Sequence, residues 1–187
     1  QYRSPSSRVV IWPDHARGTW RGYSGDMFTG LVQAVGHVKA CRMNSGGGAR
    51  LDLVSPAWVN RPSAGDSIAV DGCCLTVVES SCVNEDQYLL SFDVVQQTLD
   101  KTVLGGFVSG RMVNLETSAT PETLLGGHLV QGHVDSVAQV LQIDEQPGNV
   151  RMHFRIEETL AELLVPQGSI TIDGVSLTIA DVSDGQF

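Results

Sequence analysis

Ser67-Ile68-Ala69-Val70-Asp71-Gly72-Cys73-Cys74-Leu75-Thr76-Val77 reads as a strand, a two-residue turn and a second strand. Asp-Gly between apolar-rich runs is a strong hairpin signal, because the tight turn wants positive φ and glycine adopts it at little cost. The chain repeats the pattern as Ser169-Ile170-Thr171-Ile172-Asp173-Gly174-Val175-Ser176-Leu177-Thr178-Ile179. From Gly72 to Gly174 the offset is 102, and five of the ten aligned positions from Ile68 to Val77 are identical. Gly30-Leu31-Val32 lies over Gly132-His133-Val134 at the same offset, and Val38 over Val140. A unit of this size is too long for a solenoid repeat and fits a small duplicated domain.

Working outward, the spacing predicts a strand after Gly30, a glycine-rich loop at Asn44–Gly48, and a returning strand at Arg50–Val54. Further strands are predicted at Tyr88–Val94 and Met112–Glu116, with a short connector at Pro56–Pro62 that holds about one helical turn. Val150, Met152, Phe154 and Ile156 alternate with basic residues as a half-buried strand. Glu157–Val165 is the best helix candidate, ended by Pro166 and Gly168. The predicted fold class is all-β: two tandem, similar six-stranded antiparallel barrels with few helices. The expected domains are residues 27–120 and 121–187, after a basic leader at 1–26. The second barrel is expected to be incomplete, because only thirteen residues follow Gly174.

The 187 residues carry a net charge of −9. The leader has four arginines against two aspartates, so the rest carries −11, a poor footprint for nucleic acid. No apolar run approaches the ~18 residues of a membrane span. Cys41, Cys73, Cys74 and Cys82 include an adjacent pair and no C-x-x-C, and read as reduced thiols in a reducing compartment. The serine-containing, acid-poor leader fits the tail of a transit peptide and equally an unstructured leader or a cloning remnant. Cytoplasm and plastid stroma are the expected locations.

Residues i and i+2 of a strand share a face. Cys74 and Thr76 therefore stand together after the first turn, and Ser176 and Thr178 after the second. Two neutral polar pairs suit a heterocycle with carbonyl and ring-nitrogen groups better than a metal or a phosphate. His128 and His133, five apart, point to opposite faces of an extended segment, so shared metal ligation is disfavoured. His133 is the better acid/base candidate, and its counterpart in the first repeat is Leu31, which would make the two sites chemically unequal. No P-loop, nucleophile-elbow or zincin motif occurs.

Met27-Phe28-Thr29-Gly30, the two Asp-Gly hairpins, Gly126-Gly127-His128-Leu129-Val130-Gln131-Gly132-His133-Val134-Asp135 and the loop Thr98-Leu99-Asp100-Lys101-Thr102 together resemble the riboflavin synthase family. The resemblance runs from Met27 to Phe187. It implies dismutation of two molecules of 6,7-dimethyl-8-ribityllumazine, with a four-carbon unit passing from one to the other. The products would be riboflavin and 5-amino-6-ribitylaminouracil, and no cofactor or metal would be needed. It also implies a homotrimer, with each active site between the first barrel of one subunit and the second barrel of its neighbour. Association with lumazine synthase is a further partnership it admits.

Carried over residue by residue, the resemblance puts Ser67, Cys74, Leu75 and Thr76 in the first pocket. It puts Gln167, Ser176, Leu177 and Thr178 in the second. Gly30, Leu31 and Val32, with Gly132, His133 and Val134, would offer backbone groups to the ring or ribityl chain. Asp93, Val94, Val95, Gln96, Gln97 and Thr98 would form a further binding turn, with Phe28 packed nearby. His133, Cys74, Ser67 and Thr178 are the expected catalytic residues.

Three departures from the family pattern stand out. Gln96-Gln97 replaces a proline or charged residue followed by glutamate, and Gln167 stands where some members carry lysine. The sequence also stops before the second barrel's last strands, a catalytic acid and the trimer helix, so it is expected to be a fragment; a protein ending at Phe187 would have an unstable second barrel and little activity. Two other functions compete. One is a non-catalytic lumazine- or flavin-binding protein of the same fold, disfavoured by Cys74 and His133. The other is a flavin reductase module, disfavoured because no G-x-G-x-x-G follows.

Overall fold

The structure is a computed structural model that describes residues 8–13, 27–58 and 61–187. In chain order the strands are β1 (Arg8–Pro13), β2 (Ala34–Met43), β3 (Ala49–Pro56), β4 (Ser67–Val70), β5 (Cys73–Asn84), β6 (Gln87–Val94), β7 (Met112–Thr117), β8 (Ser136–Gln146), β9 (Asn149–Arg155), β10 (Ser169–Ile172) and β11 (Val175–Thr178). Two short helices, α1 (Gln96–Lys101) and α2 (Glu158–Ala161), and a 3-10 turn at Leu104–Gly106 complete the described elements.

The first repeat closes into an antiparallel barrel in the order β2-β3-β6-β5-β4-β7. Alternation drives it: Val38, Leu51, Leu53, Ile68, Val70, Leu75, Val77, Leu90, Phe92, Val113 and Leu115 are all buried in one core. Each such side chain contributes roughly 1.5–3 kcal/mol on burial. The two predicted hairpins form as read. Asp71 and Gly72 take φ of 44° and 81°, and Asp173 and Gly174 take 47° and 80°, the paired positive values of a type I′ turn. The duplication reaches a structural irregularity too. A bulge lies between Val38 and Ala40 in β2 and between Val140 and Gln142 in β8, 102 residues on.

The second repeat forms a five-stranded sheet in the order β11-β10-β1-β8-β9. The expectation of a leader without regular structure is corrected at Arg8–Pro13, which forms a strand; the rest of residues 1–26 lies outside the described residues. β1 sits between β10 and β8 as β7 sits between β4 and β2. The register agrees residue for residue. Ile11 pairs with both Ser136 and Ile172, just as Leu115 pairs with Ala34 and Val70. Val9 and Ile11 are buried in the second core beside Ala138, Val140, Ile170 and Ile172. Two inward β-branched residues at i and i+2 are enough to fit the slot.

Two helix expectations are also corrected. Glu157–Val165 is helical only over Glu158–Ala161, with no side-chain cap at Glu157; so short a segment gains little from its own hydrogen bonds. Conversely, α1 was not expected in the Gln96–Lys101 turn. The Pro56–Pro62 connector shows no helix among its described residues. Phe187 exchanges backbone hydrogen bonds with Phe154 of β9, and their rings stack at 5.1 Å.

Candidate functional site

The two repeats meet through reciprocal bonds. Phe28 and Val130, themselves 102 apart, exchange backbone hydrogen bonds at 2.7 and 3.0 Å. Beside them the Cys74 N–H donates to the Gly132 carbonyl, and the Ser176 N–H donates to the Gly30 carbonyl, both at 2.8 Å. These bonds are equivalent under the same offset, so the repeats face each other about an approximate two-fold axis. Gly72 and Gly174 lie back to back: a Cβ built on Gly72 would stand 2.7 Å from the Gly174 nitrogen. Phe28 is fully buried with Ala69 and Val130, and Cys74 packs against them. Gly132 fits because a Cβ there would meet the Cys74 Cβ at 2.7 Å and the Phe28 ring at 3.0 Å.

The crossing makes each site from both repeats. A cleft of about 340 Å³ opens beside Cys74, and Gly132, His133 and Val134 of the second repeat form part of its wall. Its size suits a small bicyclic ligand. The other wall comes from α1, whose Gln97, Thr98 and Lys101 fall on one helical face, with Thr102 just beyond. Lys101 and Thr102 lie outside the expected contacts; α1 brings Lys101 to the cleft edge, and Thr102 follows at its C-terminal end.

The faces of the first hairpin are as read. Cys73 and Leu75 point into the core, while Cys74 is half-buried and Thr76 exposed outside it. Burial pushes the Cys73 thiol up to about 12. Ser67 is buried and registers opposite Thr76, as Ser169 does opposite Thr178. Thr76 is not among the residues lining the Cys74 cleft. Some expected contacts are placed elsewhere. The Val94 and Leu75 side chains lie in the barrel core, leaving only their backbone groups for a ligand. Asp93 is exposed and ion-paired to Arg50 at 2.9 Å. The Gln96 side chain is engaged within the first repeat, accepting from Gly48 N–H and donating to Asp100. Val95 and Leu31 are exposed and Val32 is half-buried. Gln167 is exposed with a φ of 65°, its N–H bonded to the Ile179 carbonyl at 2.7 Å. Leu177 and Thr178 are exposed on β11.

The second site brings forward a residue that spacing did not single out. His128 Nδ1 stands 2.5 Å from Ser176 Oγ, and its Nε2 stands 3.1 Å from Thr171 Oγ1. Thr171 and Ser176 are cross-strand partners in the second hairpin, so one face presents both hydroxyls to one ring. A neutral imidazole that donates Nε2–H to Thr171 leaves the Nδ1 lone pair to accept the Ser176 hydroxyl proton. His133 is exposed in the Cys74 cleft, on the other site. The two histidines thus stand at different hairpins, His133 in the Cys74 cleft and His128 against Ser176 and Thr171. Sequence alone carried one hint of this, the opposite facing of residues five apart.

Glu116 anchors the Thr29-Gly30 segment through which the first repeat meets the second. Its carboxylate accepts the Thr29 N–H at 2.6 Å, the Thr29 hydroxyl at 2.7 Å and the Gly30 N–H at 3.0 Å. Burial lifts this carboxyl above its ordinary range, with the three donors pulling the other way. Among the described residues, no group of three or more His, Cys, Asp or Glu side chains is placed to hold a metal ion.

Comparison with known proteins agrees with this architecture. The family model of the lumazine binding domain matches residues 29–118 and again 131–187, one match for each repeat. Riboflavin synthase of Schizosaccharomyces pombe is 37% identical over 162 residues, covering 86% of this chain and 76% of that protein. Riboflavin synthase of Bacillus subtilis is 35% identical over 158 residues, covering 84% and 71%. A crystal structure of LumP complexed with riboflavin superposes with a TM-score of 0.71 at 29% identity, covering 85% of this chain and 83% of LumP. With two family matches and relatives at this identity over most of their length, the chain belongs to the riboflavin synthase family of lumazine-binding-domain proteins.

Proposed function

We propose that this chain catalyses the riboflavin synthase reaction: two molecules of 6,7-dimethyl-8-ribityllumazine give riboflavin and 5-amino-6-ribitylaminouracil. The observation that carries the reading is the unequal chemistry of two sites built to one plan. A dismutation needs one molecule as four-carbon donor and an identical one as acceptor, so the pockets must bind alike and act differently. Here one hairpin offers Cys74 beside Gly132 and His133; the other offers Ser176 beside Gly30 and His128.

The side chains divide the work accordingly. The His128–Ser176 pair moves a proton at the acidic ring methyl of one lumazine, the hydroxyl relaying it to Nδ1. Cys74 faces the ring of the other, where a thiol or a water it holds adds to the electrophilic carbon. His133, the expected proton-moving group, assists in the Cys74 cleft. Holding the two rings in register supplies much of the rate. A homotrimer that brings the Cys74 cleft against a neighbour's second barrel belongs to this reading, as does association with lumazine synthase. Four cysteines outside any disulfide bond fit a reducing compartment, cytoplasm or plastid stroma.

Incubating the full-length protein with the lumazine and following riboflavin absorbance tests the proposal. No product at saturating substrate refutes it. The LumP likeness favours a second reading, a binding protein without turnover. A purified protein that carries a bright, unconverted ligand would establish that reading instead.

A further inference from the structure

The His128–Ser176 pair sits in the second repeat, yet both of its backbone amides are held by the first. The His128 N–H donates to the Thr29 carbonyl at 3.2 Å, and the Ser176 N–H donates to the Gly30 carbonyl at 2.8 Å. The dipeptide Thr29-Gly30 is therefore a jig that sets the separation of the two residues. Its own amides face the other way, toward one acceptor, the Glu116 carboxylate. Gly127 leaves no room for the jig to drift: a Cβ there would stand 2.0 Å from the Thr29 carbonyl oxygen. Gly30 leaves little more, since a Cβ there would meet the Ser176 Cβ at 2.7 Å.

We propose that Glu116 is a positioning residue for the His128–Ser176 pair, acting across the repeat boundary through Thr29 and Gly30. It touches neither side chain of the pair. A carboxylate is the right group for this, because two oxygens can serve two consecutive amides and a hydroxyl at once. Glu116 lies on β7 opposite Ala69, next to the Ala69–Cys74 pairing of the first site. One strand thus bears on the Cys74 hairpin through Ala69 and on the His128–Ser176 pair through the jig.

The inference rests on the riboflavin synthase reading, and its test has one arm that does not depend on turnover. Glu116→Gln keeps size and planarity but puts an amide NH2 where one oxygen accepted, so one donor of the jig loses its partner. Thr29→Val removes the bond the hydroxyl donates to Glu116 and the weaker one it accepts from the Leu31 N–H at 3.2 Å, and leaves both amides of the jig held. In the full-length protein, turnover is measured together with the imidazole nitrogen resonances of His128, assigned by their loss in His128→Gln. Glu116→Gln is expected to lower kcat by about tenfold to a hundredfold, the scale of a small misplacement of reacting groups, with KM within about threefold. It should also move the His128 Nδ1 resonance, and Thr29→Val should do both to a smaller degree. Unchanged His128 resonances in folded Glu116→Gln would overturn the proposal, as would a Thr29→Val effect of equal size. Should Glu116→Gln not fold, Glu116→Asp carries the same expectations, because it withdraws both oxygens while keeping the charge. A wild-type protein without turnover would count against the reaction, and the resonance arm would still decide the clamp.

Discussion

Replacing Gly72 with alanine tests the apposition of the two hairpins, on which the crossed arrangement of the repeats depends. Gly72 has a φ of 81°, and an alanine held in the left-handed region costs about 1–2 kcal/mol. Its new Cβ would lie 2.7 Å from the Gly174 nitrogen and 3.1 Å from the Gly174 Cα. Both are backbone atoms of a tight turn, so the turns must separate, and overpacking of this kind costs about 1–3 kcal/mol. The expected total is about 2–5 kcal/mol, the sum of those two ranges. Gly110 supplies the control: its φ is 85°, and nothing lies within 4 Å of a Cβ there. Gly110→Ala should therefore cost only the conformational part, about 1–2 kcal/mol. Gly174→Ala should match Gly72→Ala, since its Cβ would meet the Gly72 nitrogen at 2.9 Å. Urea unfolding of the three variants measures the difference; with a slope of about 1–3 kcal/mol per molar, the midpoints should separate by roughly 1 M. If Gly72→Ala and Gly110→Ala shift the midpoint equally, the turns do not bear on each other and the crossed arrangement of the two sites is wrong.

Other perturbations check the remaining parts. The buried Cys73 thiol, pushed up to about 12, should resist alkylation at pH 8, while exposed Cys82 reacts; mass mapping of a brief iodoacetamide pulse reads this, and early labelling of Cys73 would contradict its placement. Glu116 holds its proton more tightly folded than unfolded, so its contribution to stability is fully present below its ordinary value of 4.5 and is lost as pH rises through the raised folded value. The stability difference between wild type and Glu116→Gln should accordingly shift against wild type as pH rises through that window; a flat difference, measured by denaturant titration at several pH values, would show no such uptake. His128→Ala should lower kcat by about a hundredfold or more, the scale of general acid–base catalysis. His133→Ala should lower kcat less and raise KM for lumazine through the Cys74 cleft. The reverse ranking in steady-state kinetics would return the proton-moving role to His133.

Local pattern was sufficient wherever neighbours along the chain decide the outcome. The Asp-Gly turns, the alternation that sends Cys73 inward and Cys74 outward, and the duplication itself are all properties of ten-residue windows and a fixed offset. α1 escaped that reading because Gln96–Lys101 is too short to show a helical period. β1 escaped because a lone six-residue run has no partner in sequence; Val9 and Ile11 alternate, but only the gap between β8 and β10 makes a strand of them. Separation in sequence hid the site for the same reason. His128 and Ser176 are 48 residues apart and Glu116 and Thr29 are 87 apart. Polar contacts over such distances leave no periodicity, because each is closed by how distant segments of one repeat fold together and not by any local pattern. The sequence by itself therefore determined two like all-β repeats with polar hairpin faces. Tertiary structure alone decided that the faces cross over, so that each hairpin is bonded to the other repeat's glycine loop.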